Sequence, residues 1–560
     1  MKLSVGIIGC GPSGLVTLKE LLDEGHQVTV FEKTSHIGGI FTTVYQQGVM
    51  VSSNLVTMFS DFVGREHDSI LENPRMMSFI EYSQYLDDYA DHFNLKAHIH
   101  FETHVQSVWR DTATDKWNVR VLKHGVDQPE IFQFDRIAIS SGTHQHRSMP
   151  HFVNHEQFQG KIKHLQDIKW FEDFTGKRVC VVGGGEAAGD MALESAKHGK
   201  KSFISIRKDH GAIVQRYFRG LPADLSTNRA LHSNPHAFGL YQSYFLTYYQ
   251  LILDFIARLL GFDKRPPVEI EIDRQILLMN LAQLGTSNYR STYGTKNSGF
   301  TEAIVQYNCQ RKPGIRELKA PATIVFDDGT EEEDIDEIVC CTGFENHFRF
   351  LETEDNDNDE IIKQVAKEAR ISHDLYKHCV HVLTGDQLFF IGFVRPCFDA
   401  IPPLAEMQAR WFAQLCSGNV KLPSRATMLE HSKIYVEYIE NQLTSYRTNR
   451  IVTLTDHLVY ADDIARLISC RPNFLNMFFC DPKLWIKCHM GPIMMAHFRL
   501  CGPHAKPAES RRIILKSKWI IDSAGIIQLV MIYIHFLFYF FGNIKSCKPN
   551  AWYPVIKWRS

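Results

Sequence analysis

The feature that most constrains this 560-residue chain is a short apolar run, Val5 to Ile8, that passes directly into Gly9-Cys10-Gly11-Pro12-Ser13-Gly14 and then into a helical stretch ending near Glu24. Strand, glycine turn and helix in that order open a nucleotide-binding βαβ unit. The next strand, Gln27 to Phe31, ends in Glu32, 23 residues after Gly9. That lies close to the ~20 at which such units place a carboxylate for the ribose hydroxyls. Gly9 permits the tight turn, Gly11 lets the backbone approach a pyrophosphate, and Gly14 allows the helix to pack closely on the strand. Cys10, Pro12 and Ser13 complete the turn, so Gly9 through Gly14 and Glu32 are read as one dinucleotide site.

A second copy lies downstream. Arg178 to Val182 reads as a strand, and Gly183-Gly184-Gly185-Glu186-Ala187-Ala188-Gly189-Asp190 opens a helix running to about Gly199. Gly183, Gly185, Ala187, Ala188, Gly189 and Asp190 form the second candidate site. The strand that follows, Ser202 to Ile206, ends at Arg207-Lys208 instead of an acid. A cation there suits a 2′-phosphate that a carboxylate would repel, so NADPH is favoured over NADH. Glu186 runs against the pattern: a carboxylate at a phosphate turn is electrostatically unfavourable, so it is expected to point away or to weaken binding.

Two similar segments, Ile137 to Thr143 and Ile338 to Phe344, each read as an apolar strand ending in a small-residue turn. They are expected to carry the chain between domains, making the second an insertion in the first. The expected fold class is α/β, with two Rossmann-like dinucleotide domains. The first spans 1–150 and 336–510, the second 151–335 with a variable helical insertion at about 208–295, and 511–560 forms a membrane-associated tail.

Charge and cysteine usage narrow the partners. Lys+Arg 61 against Asp+Glu 63 leaves a net charge of −2, with no general attraction for nucleic acid. Thirteen cysteines are scattered without a Cys-x-x-Cys pair, which argues against a zinc site, a disulfide framework and a disulfide reductase. Asp355-Asn356-Asp357-Asn358-Asp359 lacks the glycine and glutamate of a calcium loop and reads as a solvated acidic loop. No metal is expected. The N-terminus enters the glycine motif without a secretory signal, placing the main body in the cytosol. Near the other end, Gly525 to Gly542 holds eighteen uncharged residues with basic flanks on both sides, a pattern that fits a monotopic or re-entrant anchor as well as a span. The apolar stretch Tyr241 to Phe262 is read as a buried lid helix, with membrane contact or a substrate entrance as alternatives.

Several further segments carry a family resemblance. Phe158-x-Gly160-x-x-x-His164-x-x-x-Ile168 is similar to the FxGxxxHxxx(Y/F) identifier of the flavin-containing monooxygenases, departing from it at Ile168. Ile37-Gly38-Gly39-Ile40-Phe41, Phe59-Ser60-Asp61-Phe62, Asp327-Asp328-Gly329-Thr330, Cys341-Thr342-Gly343-Phe344, Arg471-Pro472-Asn473 and Asp481-Pro482-Lys483-Leu484 resemble further segments of the animal-type, dimethylaniline-oxygenating members. The resemblance implies FAD at the first site, with Gly39, Ile40, Phe41, Ser53 and Asn54 added to it, and NADPH at the second, with Arg207 and Lys208. It implies O2 and a small lipophilic substrate whose nucleophilic nitrogen or sulfur is oxygenated through a flavin hydroperoxide, the cofactor carrying the hard chemistry. Asn54 is then the candidate catalytic residue, a neutral hydrogen-bonding group beside flavin and nicotinamide. The helix holding Gln408, Arg410 and Trp411 is expected to pack on the flavin domain. Attachment to the endoplasmic reticulum membrane with catalytic domains facing the cytosol is implied, and a homo-oligomer is allowed. Two alternatives stay open: a Baeyer-Villiger ketone monooxygenase, and a weakly catalytic membrane-bound FAD/NADPH-binding protein, which Glu186 and Ile168 keep in play.

Overall fold

A computed structural model describes residues 2–520 except 66–67, 112, 208–211, 219, 230–255, 257, 262–264, 285–293, 397–398 and 444–453. Two five-stranded parallel sheets organise the chain. In the first, Ser4–Ile8 lies between Gln27–Phe31 and Arg136–Ile139, with Ile99–His100 and Leu388–Phe390 at the two edges. In the second, Arg178–Val182 lies between Lys201–Ser205 and Glu337–Cys340, with Gln310–Lys312 and Lys161–His164 outside them. Strands of such sheets are buried on both faces, which is why they read as continuous apolar runs: Val5, Ile7, Val179, Val181, Ile338 and Val339 are all buried.

All strands of the second sheet fall between strands of the first in sequence. The two crossover segments meet, because His146–Arg147 pairs antiparallel with Phe344–Glu345 just after each leaves its sheet. The expected boundary at 336 needs correction: Glu337–Cys340 is a central strand of the second sheet, so that body runs through the strand to the turn at Gly343. The boundary at 511 is also too early. Helix Pro507–Lys516 buries Ile513 and Ile514 in the first domain's core, and Arg512 and Lys516 pair with Asp68.

Several family-like motifs turn out to hold the fold. Gly160 has no room for a side chain, since a Cβ would stand 2.5 Å from the Ile335 carbonyl oxygen. The buried His164 contacts the Gly343 carbonyl through Nε2 at 3.1 Å, which ties the identifier segment to the crossover. Ile168 fills an apolar core position beside Phe171 and Phe174. Ser60 and Asp61 enter a buried ion network with Lys19, Glu20, Glu406 and Arg499. Breaking such a network from one side is strongly destabilising because it strands a buried charge.

Helix Ile401–Cys416 packs along Pro12–Asp23, and Gln408 Oε1 accepts the Gly392 amide at 2.8 Å. Asp355 pairs with Arg120, and Asp359 caps the helix Glu360–Glu368. The early part of the 208–295 insertion packs on the first domain, where Asp224 accepts the Ser53 amide at 2.6 Å and Arg229 pairs with Asp462 at 2.7 Å. Among the described residues no helix is long and apolar enough to cross a membrane. Gly525 to Gly542, most of Tyr241 to Phe262, and Lys208 lie outside the described residues.

Candidate active site

Each glycine turn opens onto a cavity. The first, of about 380 Å³, is lined by Gly9, Gly11, Pro12, Ser13, Glu32, Gly39, Ile40 and Phe41 among others. Gly9 has φ of 96°, a left-handed conformation that favours glycine, and a Cβ there would meet the Ser140 carbonyl oxygen at 2.7 Å. Gly14 is tighter still, since its Cβ would lie 1.9 Å from the Gly9 oxygen. Gly11 differs in kind: the nearest protein atom to its Cβ is the Gly39 Cα at 3.7 Å, so the space in front of it belongs to a ligand. Helix Pro12–Asp23 begins there without a side-chain cap, leaving its first N–H groups and the positive end of its dipole for an anion. Cys10 and Gly14 do not line the cavity; Cys10 donates its amide to Glu32 Oε2 at 2.7 Å. Glu32 Oε1 accepts from the amide and hydroxyl of Thr34, both at 2.9 Å.

The second cavity, of about 520 Å³, lies between the two domains and shares Ile40, Phe41, Thr143, His144, Ile401 and Pro402 with the first. Its far wall is the uncapped start of helix Glu186–His198, with Gly185, Glu186, Ala187, Ala188 and Asp190 on the surface. Gly183 and Gly189 stand behind the wall, where a Cβ would strike the Cys341 carbonyl oxygen at 2.5 Å and the Asn297 side chain at 2.7 Å. Arg207 is exposed after its strand and outside both linings.

Glu186 lines the wall, and its carboxylate accepts the Lys296 amide at 3.4 Å. Asp190 works across the domain boundary, accepting from Tyr45 Oη at 2.9 Å, Arg216 at 2.7 Å and Asn297 at 2.9 Å.

Ser53 and Asn54, expected at the flavin site, line neither of these two cavities. Asn54 is buried, and its Oδ1 accepts the amides of Leu55 at 2.9 Å and Arg75 at 3.0 Å. Ser52, near the end of the Val49–Ser53 strand, lines the second cavity instead, as Val49, Met50 and Val51 before it do. There it meets the residue that sequence reasoning missed. Lys296 is only 7% exposed, and its ammonium donates to Ser52 Oγ at 2.6 Å and the Asp399 carbonyl at 2.8 Å. Lys296 belongs to the second domain's side of the cleft and both acceptors to the first. Two buried carboxyls accompany it. Burial pushes Asp399 up to about 8 against the opposing pull of Lys296, and His457 Nδ1 lies 3.7 Å from its Oδ2. Burial also raises Asp224. The sequence signal for Lys296 is faint: it is one lysine in the polar run Thr295-Lys296-Asn297-Ser298 before a helix, and its partners lie 103 and 244 residues away.

Two uncapped glycine-turn helices facing contiguous cavities, in a fold of one nucleotide domain inserted into another, define a protein that brings two dinucleotides together. The family model described as "FMO-like: Flavin-binding monooxygenase-like" matches residues 2–234 and 275–523, and the chain belongs to that family. It is therefore a flavin-dependent monooxygenase that uses FAD, NADPH, O2 and an organic substrate. Among similar proteins, the 4-hydroxybenzoate brominase (decarboxylating) of Pseudoalteromonas luteoviolacea (strain 2ta16) is 30% identical over 527 residues, covering 92% of this chain and 93% of that one. Flavin-containing monooxygenase 5 of Homo sapiens is 30% identical over 525 residues, covering 90% and 89%. The solved structure of S-allyl-L-cysteine S-oxygenase from Allium sativum aligns with a TM-score of 0.59 at 19% identity, covering 96% and 99%, a likeness of fold.

Proposed function

We propose that the protein oxygenates a nucleophilic nitrogen or sulfur of a small lipophilic molecule held in the interdomain cavity. The observation carrying this reading is the cavity itself: Val44, Val49, Met50, Val51, Phe79 and Leu165 line it, and it meets the first cavity at Ile40, Phe41, Ile401 and Pro402. Bound FAD, once reduced by NADPH, supplies the oxygen-activating chemistry. The protein's own part is to bind, orient and exclude water. Gly9, Gly11, Pro12, Ser13, Glu32, Gly39, Ile40 and Phe41 hold FAD; Gly185, Ala187, Ala188 and Asp190 face NADPH, with Arg207 and Lys208 serving its 2′-phosphate. Lys296 holds the two domains around the cleft, with Ser52 as its partner. Asn54 acts from behind the wall, fixing the amides that keep Ser52 in place. Anchoring at the endoplasmic reticulum membrane, with these domains in the cytosol, would deliver lipophilic substrates to that cleft.

A second reading is favoured by one observation: the wall carries Lys296, Arg370 and Arg395, beside the carboxyl groups of Glu186, Asp190, Glu345 and Asp399. Such cations suit an ionised aromatic acid, and the brominase relative is named for one. Incubation with NADPH, O2 and a panel of tertiary amines, thioethers, ketones and hydroxybenzoates, the last with and without bromide, separates the readings by product mass. N-oxides or S-oxides support the first, ring-substituted phenols the second and lactones or esters the Baeyer-Villiger alternative. NADPH oxidation that yields only hydrogen peroxide across the panel would sink all three.

A further inference from the structure

Outside the linings of both cavities, the helices Phe474–Cys480 and Pro482–Met490 present side chains that a water-facing surface does not ordinarily collect. Leu475 is 72% exposed, Phe479 73%, Ile486 44% and Phe478 42%, and they stand on two successive elements that pack on one another. Phe478 has its ring 5.1 Å from both Phe479 and Trp485, which joins the two helices at this surface. Exposed apolar surface of this kind marks an interaction site.

Its charge says what kind. Residues 471–520 hold nine Lys and Arg against two Asp and Glu, a net charge of +7 in a chain whose total is −2. Part of that excess is spent internally: Arg499 is buried among carboxylates, Arg512 and Lys516 bind Asp68, and Arg511 binds Asp481. Lys483, Lys487 and Lys518 are spent differently. Lys487 donates to the Ser517 carbonyl at 2.6 Å and stands over the Trp519 ring at 4.8 Å. Burial first, and then the like charges of Lys483 and Lys518, lower its pKa to about 8. Lys487 thus lies close to two further, exposed lysines, and a cluster of like charge beside exposed aromatic rings suits an external anion on an apolar support. Trp519 and Ile520 also stand here, a few residues before the uncharged run Gly525 to Gly542 in sequence.

We propose that this face docks on an anionic phospholipid surface, Leu475, Phe478, Phe479 and Ile486 entering the headgroup region and Lys483, Lys487 and Lys518 meeting lipid phosphates. The contact is made by the folded body and is additional to any made by Gly525 to Gly542. It sets the face of the protein that meets the membrane.

The test uses the full-length, FAD-loaded chain with a polarity-sensitive nitrobenzoxadiazole label on Cys480, which is exposed within the patch, in a Cys397→Ser, Cys501→Ser, Cys547→Ser background. The label is expected to brighten and shift to the blue on phosphatidylcholine vesicles containing phosphatidylserine, and much less on phosphatidylcholine alone. Phe479→Glu, and separately Lys483→Glu with Lys518→Glu, should weaken vesicle binding by at least ~10-fold, the scale set by one large apolar side chain or two surface charges. Flavin absorbance and NADPH turnover should be unchanged in both variants. A label that stays in water while the protein floats with vesicles overturns the proposal, because attachment then runs elsewhere. A label already shielded without vesicles overturns it too: concentration dependence would assign the patch to a second copy, and its absence to the chain's own segments.

Discussion

Lys296 Nζ and Ser52 Oγ meet at 2.6 Å across the cleft between the two nucleotide domains, 244 residues apart in sequence. The same ammonium reaches the Asp399 carbonyl at 2.8 Å, so one side chain connects the second domain to two separate segments of the first. A buried cation in that position is expected to govern how the domains close.

Lys296→Met should retain FAD yet lower the thermal midpoint, since it leaves the buried Ser52 hydroxyl and Asp399 carbonyl without their donor, at a cost of about 1–3 kcal/mol. Flavin absorbance and differential scanning fluorimetry check both halves. Combined with Ser52→Ala in a double-mutant cycle, the pair should show a coupling of about 1–3 kcal/mol; additive effects would mean that the contact holds nothing.

The fingerprint glycines should separate by mechanism. Gly11→Ala leaves the chain foldable, because its Cβ meets only the Gly39 Cα at 3.7 Å, but it intrudes on the pyrophosphate, so the protein should purify folded and poor in flavin. Gly14→Ala meets the Gly9 carbonyl oxygen at 1.9 Å and should destabilise the domain itself. Circular dichroism melts alongside the ratio of flavin to protein absorbance distinguish the outcomes, and a Gly11→Val variant with full FAD occupancy would remove the first site's assignment.

Arg207→Ala should raise the KM for NADPH by roughly 10- to 100-fold, as expected for a charge-assisted hydrogen bond of about 1.5–3 kcal/mol, while leaving the KM for NADH nearly unchanged. Equal changes for both coenzymes would show that Arg207 does not read the 2′-phosphate.

Asp399 should leave a signature in stability against pH. Its folded-state pKa of about 8 lies above the ordinary 3.8, so between those values the folded protein keeps a proton that the unfolded chain releases. Stability therefore falls as pH rises through that window. Asp399→Asn removes the term, and its thermal midpoint should decline less from pH 5 to pH 8.5 than that of the unsubstituted protein. Parallel curves would mean that Asp399 is ionised throughout.

The local grammar of the chain determined most of the scaffold. Val5 to Gly14 and Arg178 to Asp190 dictate strand, turn and helix within a dozen residues each, since a tight turn, a close helix and an open phosphate site require glycine at fixed offsets. The crossover turns at Ser140 and Thr342 were legible for the same reason. What lay beyond the sequence was set by contacts with no local period. Whether residue 52, 53 or 54 faces the cleft depends on the exit angle of one strand, and Asn54, the residue singled out, is turned inward to hold Leu55 and Arg75. Lys296, Tyr45, Asp224 and Asp399 are individually unremarkable in sequence. They become a site only when the insertion of one domain into the other brings them together, because a buried charge acquires its role from distant partners that replace its water.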